Sequence, residues 1–140
     1  MDTATPECSI TAAVEVFGDR WCLLILRDVI FEDRRNFRAL LLGSPEGIAS
    51  NILADRLVRL VEAGILTRGQ GRRGQRALYS LTEAGIQAVP ILNLMARWSR
   101  TWRAGASACQ HAASPGSHDS AQESDLMADL RRRHLTQDSN

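Results

Sequence analysis

The chain has 140 residues, 44% of them hydrophobic, and a formal net charge of +1, which suits one domain able to bury an ordinary core. No apolar run reaches the roughly 18 residues that span a bilayer, and the N-terminus lacks a basic stretch leading into an apolar one. A membrane or secreted protein is therefore not expected, and a cytoplasmic one is.

The small net charge hides an asymmetry. Residues 1–103 hold 14 Arg against 11 acids, residues 104–140 hold 3 against 5, and there is no Lys. No acid lies between Glu62 and Glu83, while Arg68, Arg72, Arg73 and Arg76 crowd into one short stretch. A local excess of that size suits an anionic partner better than the total suggests. Cys8, Cys22 and Cys109 are too few and too scattered for a disulfide framework or a structural zinc site.

In chain order, residues 1–9 read as a polar lead-in, with Ser9 placed to cap a helix through about Phe17. Gly18 ends that helix and Asp19 can cap the next, whose interior WCLLILRDVIF is apolar nearly all round, the pattern of a buried helix. Trp21, Leu24, Ile25 and Val29 are expected at the centre of the core, with Cys22 as a small buried hydrophobe. After a charged break at 32–35, residues 36–42 form a short helix with Phe37, Leu40 and Leu41 inward.

Residues 43–64 are the stretch that organises the rest. A turn at 43–47 leads into an amphipathic helix over about 49–63, with Ala49, Leu53, Leu57, Leu60 and Val61 on one face. Gly64 follows the last apolar turn, where a left-handed cap favours a residue without Cβ. The two short helices and their turn make a helix-turn-helix. The opposite face of the second helix carries Ser50, Asn51 and Asp55, with Arg56 and Arg59 on its flanks. Such a face suits a DNA major groove, where base edges offer donors and acceptors and the bordering phosphates want cations.

Residues 65–70 and 76–81 have strand character and bracket Gly71 to Gly74, whose glycines supply the positive φ of a hairpin tip. A hairpin carrying Arg72, Arg73 and Arg76 beside such a helix reads as the wing of a winged helix, its guanidinium groups meeting the DNA backbone or minor groove. The fold class expected is mainly α with a small β-hairpin: a winged helix-turn-helix with extra N- and C-terminal helices for dimerisation.

Thr82 caps a further helix, and Pro90 predicts a kink or restart near Val89. Ile91, Leu94, Met95, Trp98 and Trp102 share one face. That much apolar surface needs a cover, and burial across a two-fold axis in a homodimer is the explanation preferred over folding back on the same domain. The winged-helix domain with its dimerisation helices is thus assigned to 10–103. Residues 104–140 read as a linker and polar tail, with a helix over 121–135 that has only a thin apolar stripe and is expected to be marginally ordered.

His111, His118 and His134 all lie in the tail without partners at metal-ligand or catalytic spacing, and no nucleophile elbow or phosphate-cradling glycine loop is present. No catalytic residue, metal or cofactor is expected.

Three blocks, CSITAAVEVFGDRWCLLILRDVIF, EGIASNILADRLVRLVEAGIL and YSLTEAGIQAVPILNLMARW, resemble, in order, the HxlR family of bacterial winged-helix transcriptional regulators. The resemblance covers about 8–102. It implies a homodimer on a two-fold-related operator, with the N-terminal helix and the helix after the wing at the dimer interface, and phosphate contacts near the turn at Arg34 and Arg35. It also puts Cys8 where some members carry a cysteine that senses oxidants or electrophiles. Asp33 stands where the family usually has glycine, Cys22 where Thr is common, and Arg38-Ala39 where a small or polar residue precedes an acid. Against a DNA-binding regulator stand a winged-helix module that binds an acidic protein, and a sensor with a small-molecule pocket between the dimer helices and the core. The last differs only in the signal.

Overall fold

The structure, a computed structural model, describes residues 8–70, 76–103, 105 and 120–135. Its elements are α1 (Ser9–Phe17), α2 (Arg20–Glu32), α3 (Phe37–Gly43), α4 (Ser50–Glu62), β1 (Leu66–Arg68), β2 (Tyr79–Leu81), α5 (Glu83–Ile86), α6 (Ala88–Trp102) and α7 (Ser120–His134). The order and the antiparallel β1–β2 pair, in register Leu66 with Leu81 and Arg68 with Tyr79, are those of a winged helix-turn-helix.

Local chemistry sets the helix ends. Asp19 accepts a hydrogen bond from the Cys22 N–H at 2.9 Å and so starts α2, while Asn36 accepts from the Ala39 N–H at 2.8 Å and starts α3. At the end of α4 the Ile65 N–H reaches the Leu60 carbonyl and the Gly64 N–H reaches Val61, both at 3.0 Å, with Gly64 at φ +76°. This is a Schellman closure, and it needs the left-handed residue that glycine supplies. Asp33 takes the same conformation after α2, at φ +53°, which explains how it occupies a position where glycine is usual, since Asp is among the few side chains that tolerate it. At the foot of the hairpin Gly85 allows α5 to touch the sheet: a Cβ there would lie 2.3 Å from the Ile65 carbonyl oxygen.

The hub of the core is Ile25, Leu26, Val29 and Ile30 of α2, packed against Leu40 of α3, Leu53, Leu57 and Leu60 of α4, and Leu66 and Leu81 of the sheet. Ile25 and Val29 are buried as expected, whereas Trp21 and Leu24 are only partly buried and Leu26 and Ile30 take their place at the centre. α2 is not apolar all round, because the buried Asp28 gives it a polar seam. Cys22 is buried as expected. Ala49 is exposed and caps α4 instead of joining its inner face, and Leu41 and Val61 are partly buried. The expected restart falls at Gln87, which separates α5 from α6. Pro90 thereby sits in the first turn of α6, where its missing N–H costs no helical bond.

The largest departure from expectation is the tail. α7 packs against α5, α6 and β2, with Leu130 fully buried and Met127 and His134 buried as well. Arg131 grips Glu83 with bonds of 2.6 and 3.0 Å, Arg133 reaches Asp33 at 3.0 Å, and Asn93 donates to Glu123 at 2.8 Å. Marginal order was expected because the apolar stripe looked thin. It is completed by His134, which counts as polar in a sequence pattern yet lies on the inner face one turn beyond Leu130.

Candidate nucleic-acid interface

The helix-turn-helix is fixed from behind by charge. Arg27 donates two hydrogen bonds to the Glu46 carboxylate, at 2.5 and 2.9 Å, and a third to Asp28 at 2.9 Å, tying the turn between α3 and α4 to α2. The bond from Arg27 leads in holding the Glu46 carboxyl below its ordinary range, against the opposing effect of burial. The sequence shows no sign of this clamp, because its members are 19 residues apart. Only their opposite charge could have suggested it.

With the turn anchored, α4 shows two different faces. Leu53, Leu57 and Leu60 are buried, whereas Ser50, Asn51, Asp55 and Arg59 are all exposed, so no described part of the chain covers the polar face. Arg56 leans back: its guanidinium bonds Asp19 at 3.0 Å and Asp55 at 2.7 Å, joining the start of α2 to α4. Burial works against the charge on Asp19, but the bonds from Arg56 and the Cys22 N–H outweigh it and hold the carboxyl below its usual range.

Arg34 and Arg35 do not offer themselves to an outside phosphate as the turn contacts implied by the resemblance would. Arg34 packs over Gly43 and lies 3.3 Å from the buried Asp28 carboxylate. Arg35 donates to the Tyr79 carbonyl at 3.1 Å and to Ser80 Oγ at 2.6 Å, while its own carbonyl accepts from the Tyr79 N–H at 2.7 Å. Arg35 thereby braces the hairpin against the end of α2, whereas Arg34 stays between α2 and α3 with its charge facing Asp28.

His134 completes that brace. Its Nδ1 accepts from the Leu81 N–H at 2.9 Å, so the edge of β2 that β1 leaves free is closed first by Arg35 and then by an imidazole. Accepting at Nδ1 requires the neutral ring. Burial, then the nearby Arg35 and Arg133, push the His134 pKa down to about 4. Arg76 is exposed at the base of the hairpin, and Arg72 and Arg73 lie outside the described residues.

Elsewhere on the fold, Ile91, Leu94, Met95, Trp98 and Trp102 of α6 are exposed, Trp98 by 59% and Trp102 by 72%, together with Ile10 and Val14 of α1. No described residue folds over the α6 stripe. Cys8, just before α1, is exposed, and backbone hydrogen bonds from Thr11 and Ile10 pull its thiol pKa below the ordinary value. Cys22 is buried, and burial raises it to about 11. The described residues contain no group of three His, Cys, Asp or Glu able to hold a metal, and no helix long and apolar enough to cross a membrane.

Residues 16–107 match the model of the HxlR-like helix-turn-helix family. The chain belongs to that family. Among its relatives, an uncharacterized HTH-type transcriptional regulator of Mycobacterium tuberculosis, Rv3095, is 36% identical over 91 residues, covering 64% of this chain and 56% of that protein. The HxlR-like chain thus spans little more than half the length of its mycobacterial relatives. Its fold is close to the crystal structure of PA1607, with a TM-score of 0.66 and 29% identity over 83% of this chain and 78% of the other. It also resembles quinone-bound YodB from B. subtilis, with a TM-score of 0.53 and 25% identity over 69% of this chain and all of the other. The family match ends before α7, so the docked C-terminal helix is an addition to the matched region.

Proposed function

We propose that this chain is a cytoplasmic DNA-binding regulator of transcription, acting as a homodimer on an inverted-repeat operator. The observation that carries the reading is the bare polar face of α4, held rigid by the Arg27–Glu46 clamp and followed directly by an acid-free basic hairpin. Ser50, Asn51 and Asp55 face the bases, Arg59 stands at the groove edge, Arg56 stands beside it braced by Asp19 and Asp55, and Arg72, Arg73 and Arg76 serve the wing. Arg35 acts indirectly, by holding the hairpin in place, and Arg34 by facing Asp28 between α2 and α3. The domain that does this runs over 10–103, and α7 supports it.

The division of labour has a direct test. The sequence that the purified protein selects from a random pool gives the operator. Arg73→Ala is expected to weaken binding to all duplexes alike and to reduce the salt slope by about one unit. Asn51→Ala is expected to change which sequence is selected. Identical behaviour of the two variants would refute the assignment of roles.

Cys8 supplies the signal input in this reading. It is exposed, its thiolate is favoured by the start of α1, and α1 carries the exposed Ile10 and Val14 that would join α6 in the dimer interface. Oxidation or alkylation there disturbs the spacing of the two α4 helices. Mild oxidant or a quinone is expected to abolish operator binding by the wild type in a mobility-shift titration. Cys8→Ser is expected to bind with or without the reagent, and an unchanged response in that variant would remove Cys8 as the sensor.

A further inference from the structure

Several arginines in the described part of the chain are committed. Arg27, Arg34, Arg56, Arg131 and Arg133 each lie within 3.3 Å of a carboxylate oxygen. Arg38, Arg68 and Arg76 form no ion pair among the described residues, and all three line one open groove of about 380 Å³. Phe37, Ala77 and Tyr79 complete its walls. The groove runs between the first turn of α3 and the base of the hairpin, both of which belong to elements packed around α4.

Three unneutralised guanidinium groups around one depression repel each other, and the acid-free stretch from 63 to 82 offers them no relief. An anion resolves this. The shape selects among anions, because sites for small organic ligands enclose most of their guest, while this groove is partly open to solvent. A chain passing through suits it better than a molecule held inside it. The walls match the same choice: phosphate oxygens meet the arginines, and the apolar edge of a sugar rests on Phe37 and Ala77.

We infer that Arg38, Arg68 and Arg76 form a seat for the phosphodiester backbone of duplex DNA, separate from the tip of the wing and from the base-facing side of α4. This rests on the DNA-binding reading above and adds Arg38 and Arg68 to its contacts. The seat fixes the distance between the helix-turn-helix and the hairpin along one DNA strand, so it contributes affinity and register without reading sequence.

Affinity for a random-sequence duplex, measured at 50 and 200 mM salt, tests the seat with the full-length wild type and the double variant Arg38→Ala/Arg68→Ala. Both side chains are exposed and unpaired, so the double variant is expected to keep the wild-type unfolding temperature and to select the same operator. Its loss of affinity across that salt range is expected to be smaller than the wild type's by roughly tenfold, the effect of two lost phosphate contacts. A salt dependence equal to the wild type's would overturn the seat while leaving DNA binding intact. So would a groove that takes up benzoate, followed by calorimetry, while the double variant keeps the wild-type salt slope, since the site would then belong to a small anion. Absence of salt-dependent binding by the wild type to any duplex would instead defeat the DNA-binding reading, and the seat with it.

Discussion

Between pH 6.5 and 4.5 the wild-type chain is expected to lose stability that a His134→Gln variant does not lose. In the folded protein His134 must be neutral to accept the Leu81 N–H, and burial, reinforced by Arg35 and Arg133, lowers its pKa to about 4 from an ordinary value of 6.5. Asp33 and Asp129 oppose that shift without cancelling it. The unfolded chain therefore binds a proton at a higher pH than the folded one. The contribution is complete above 6.5, declines as pH falls through that value, and is exhausted near 4. At pH 5 the difference is on the order of 2 kcal/mol. Gln can accept the same bond through its side-chain oxygen and has no proton to gain, so it isolates the imidazole from the carboxylates that titrate over the same range. Thermal unfolding of both proteins at pH 7.5 and pH 5 measures the effect. Parallel loss in the two would mean that the ring does not hold the sheet edge. Leu130→Ala provides a pH-independent counterpart, because emptying a fully buried leucine site costs about 3 kcal/mol at any pH.

α7 marks the boundary between what the sequence could and could not tell. The face of α4 was legible because amphipathic spacing is a property of one segment: Leu53, Leu57 and Leu60 lie inward and Asn51 and Asp55 outward by periodicity alone. The caps at Asp19, Gly64 and Thr82 were legible for the same reason, as each side chain or φ angle acts on its own neighbours. Docking is a property of two segments. Nothing local to residues 120–135 says that β2 has an open edge, and nothing local to Leu81 says that an imidazole 53 residues later will fill it.

Arginine misled in the opposite direction. The resemblance put phosphate contacts near Arg34 and Arg35, yet a guanidinium on a long apolar stem can lie along the protein and turn to internal oxygens. The Asp28 carboxylate of α2 faces Arg34, and the Tyr79 carbonyl of β2 accepts from Arg35. Arg68 stood out only as one of a cluster of arginines and Arg38 only as a departure from the family's pattern, and their convergence on one groove with Arg76 is what gives them a shared role.

The second large effect concerns assembly. Trp98→Glu together with Trp102→Glu is expected to convert the protein from dimer to monomer at micromolar concentration, as read by light scattering. Both rings are exposed in the single chain, so nothing in the monomer needs them, and circular dichroism should show the wild-type helix content. In a two-fold interface each substitution is felt twice. At about 2 kcal/mol for each buried aromatic anchor, four lost anchors amount to about 8 kcal/mol, or nearly six orders of magnitude in the dimerisation constant. Operator binding should fall with it, because a monomer can place only one α4 in one half-site, while binding of a single half-site duplex should persist. That pairing of results separates the dimer face from the DNA face. A double variant that stays dimeric would show that the stripe on α6 is covered by something other than a second copy, and one that loses half-site binding as well would show that α6 supports α4 inside the monomer.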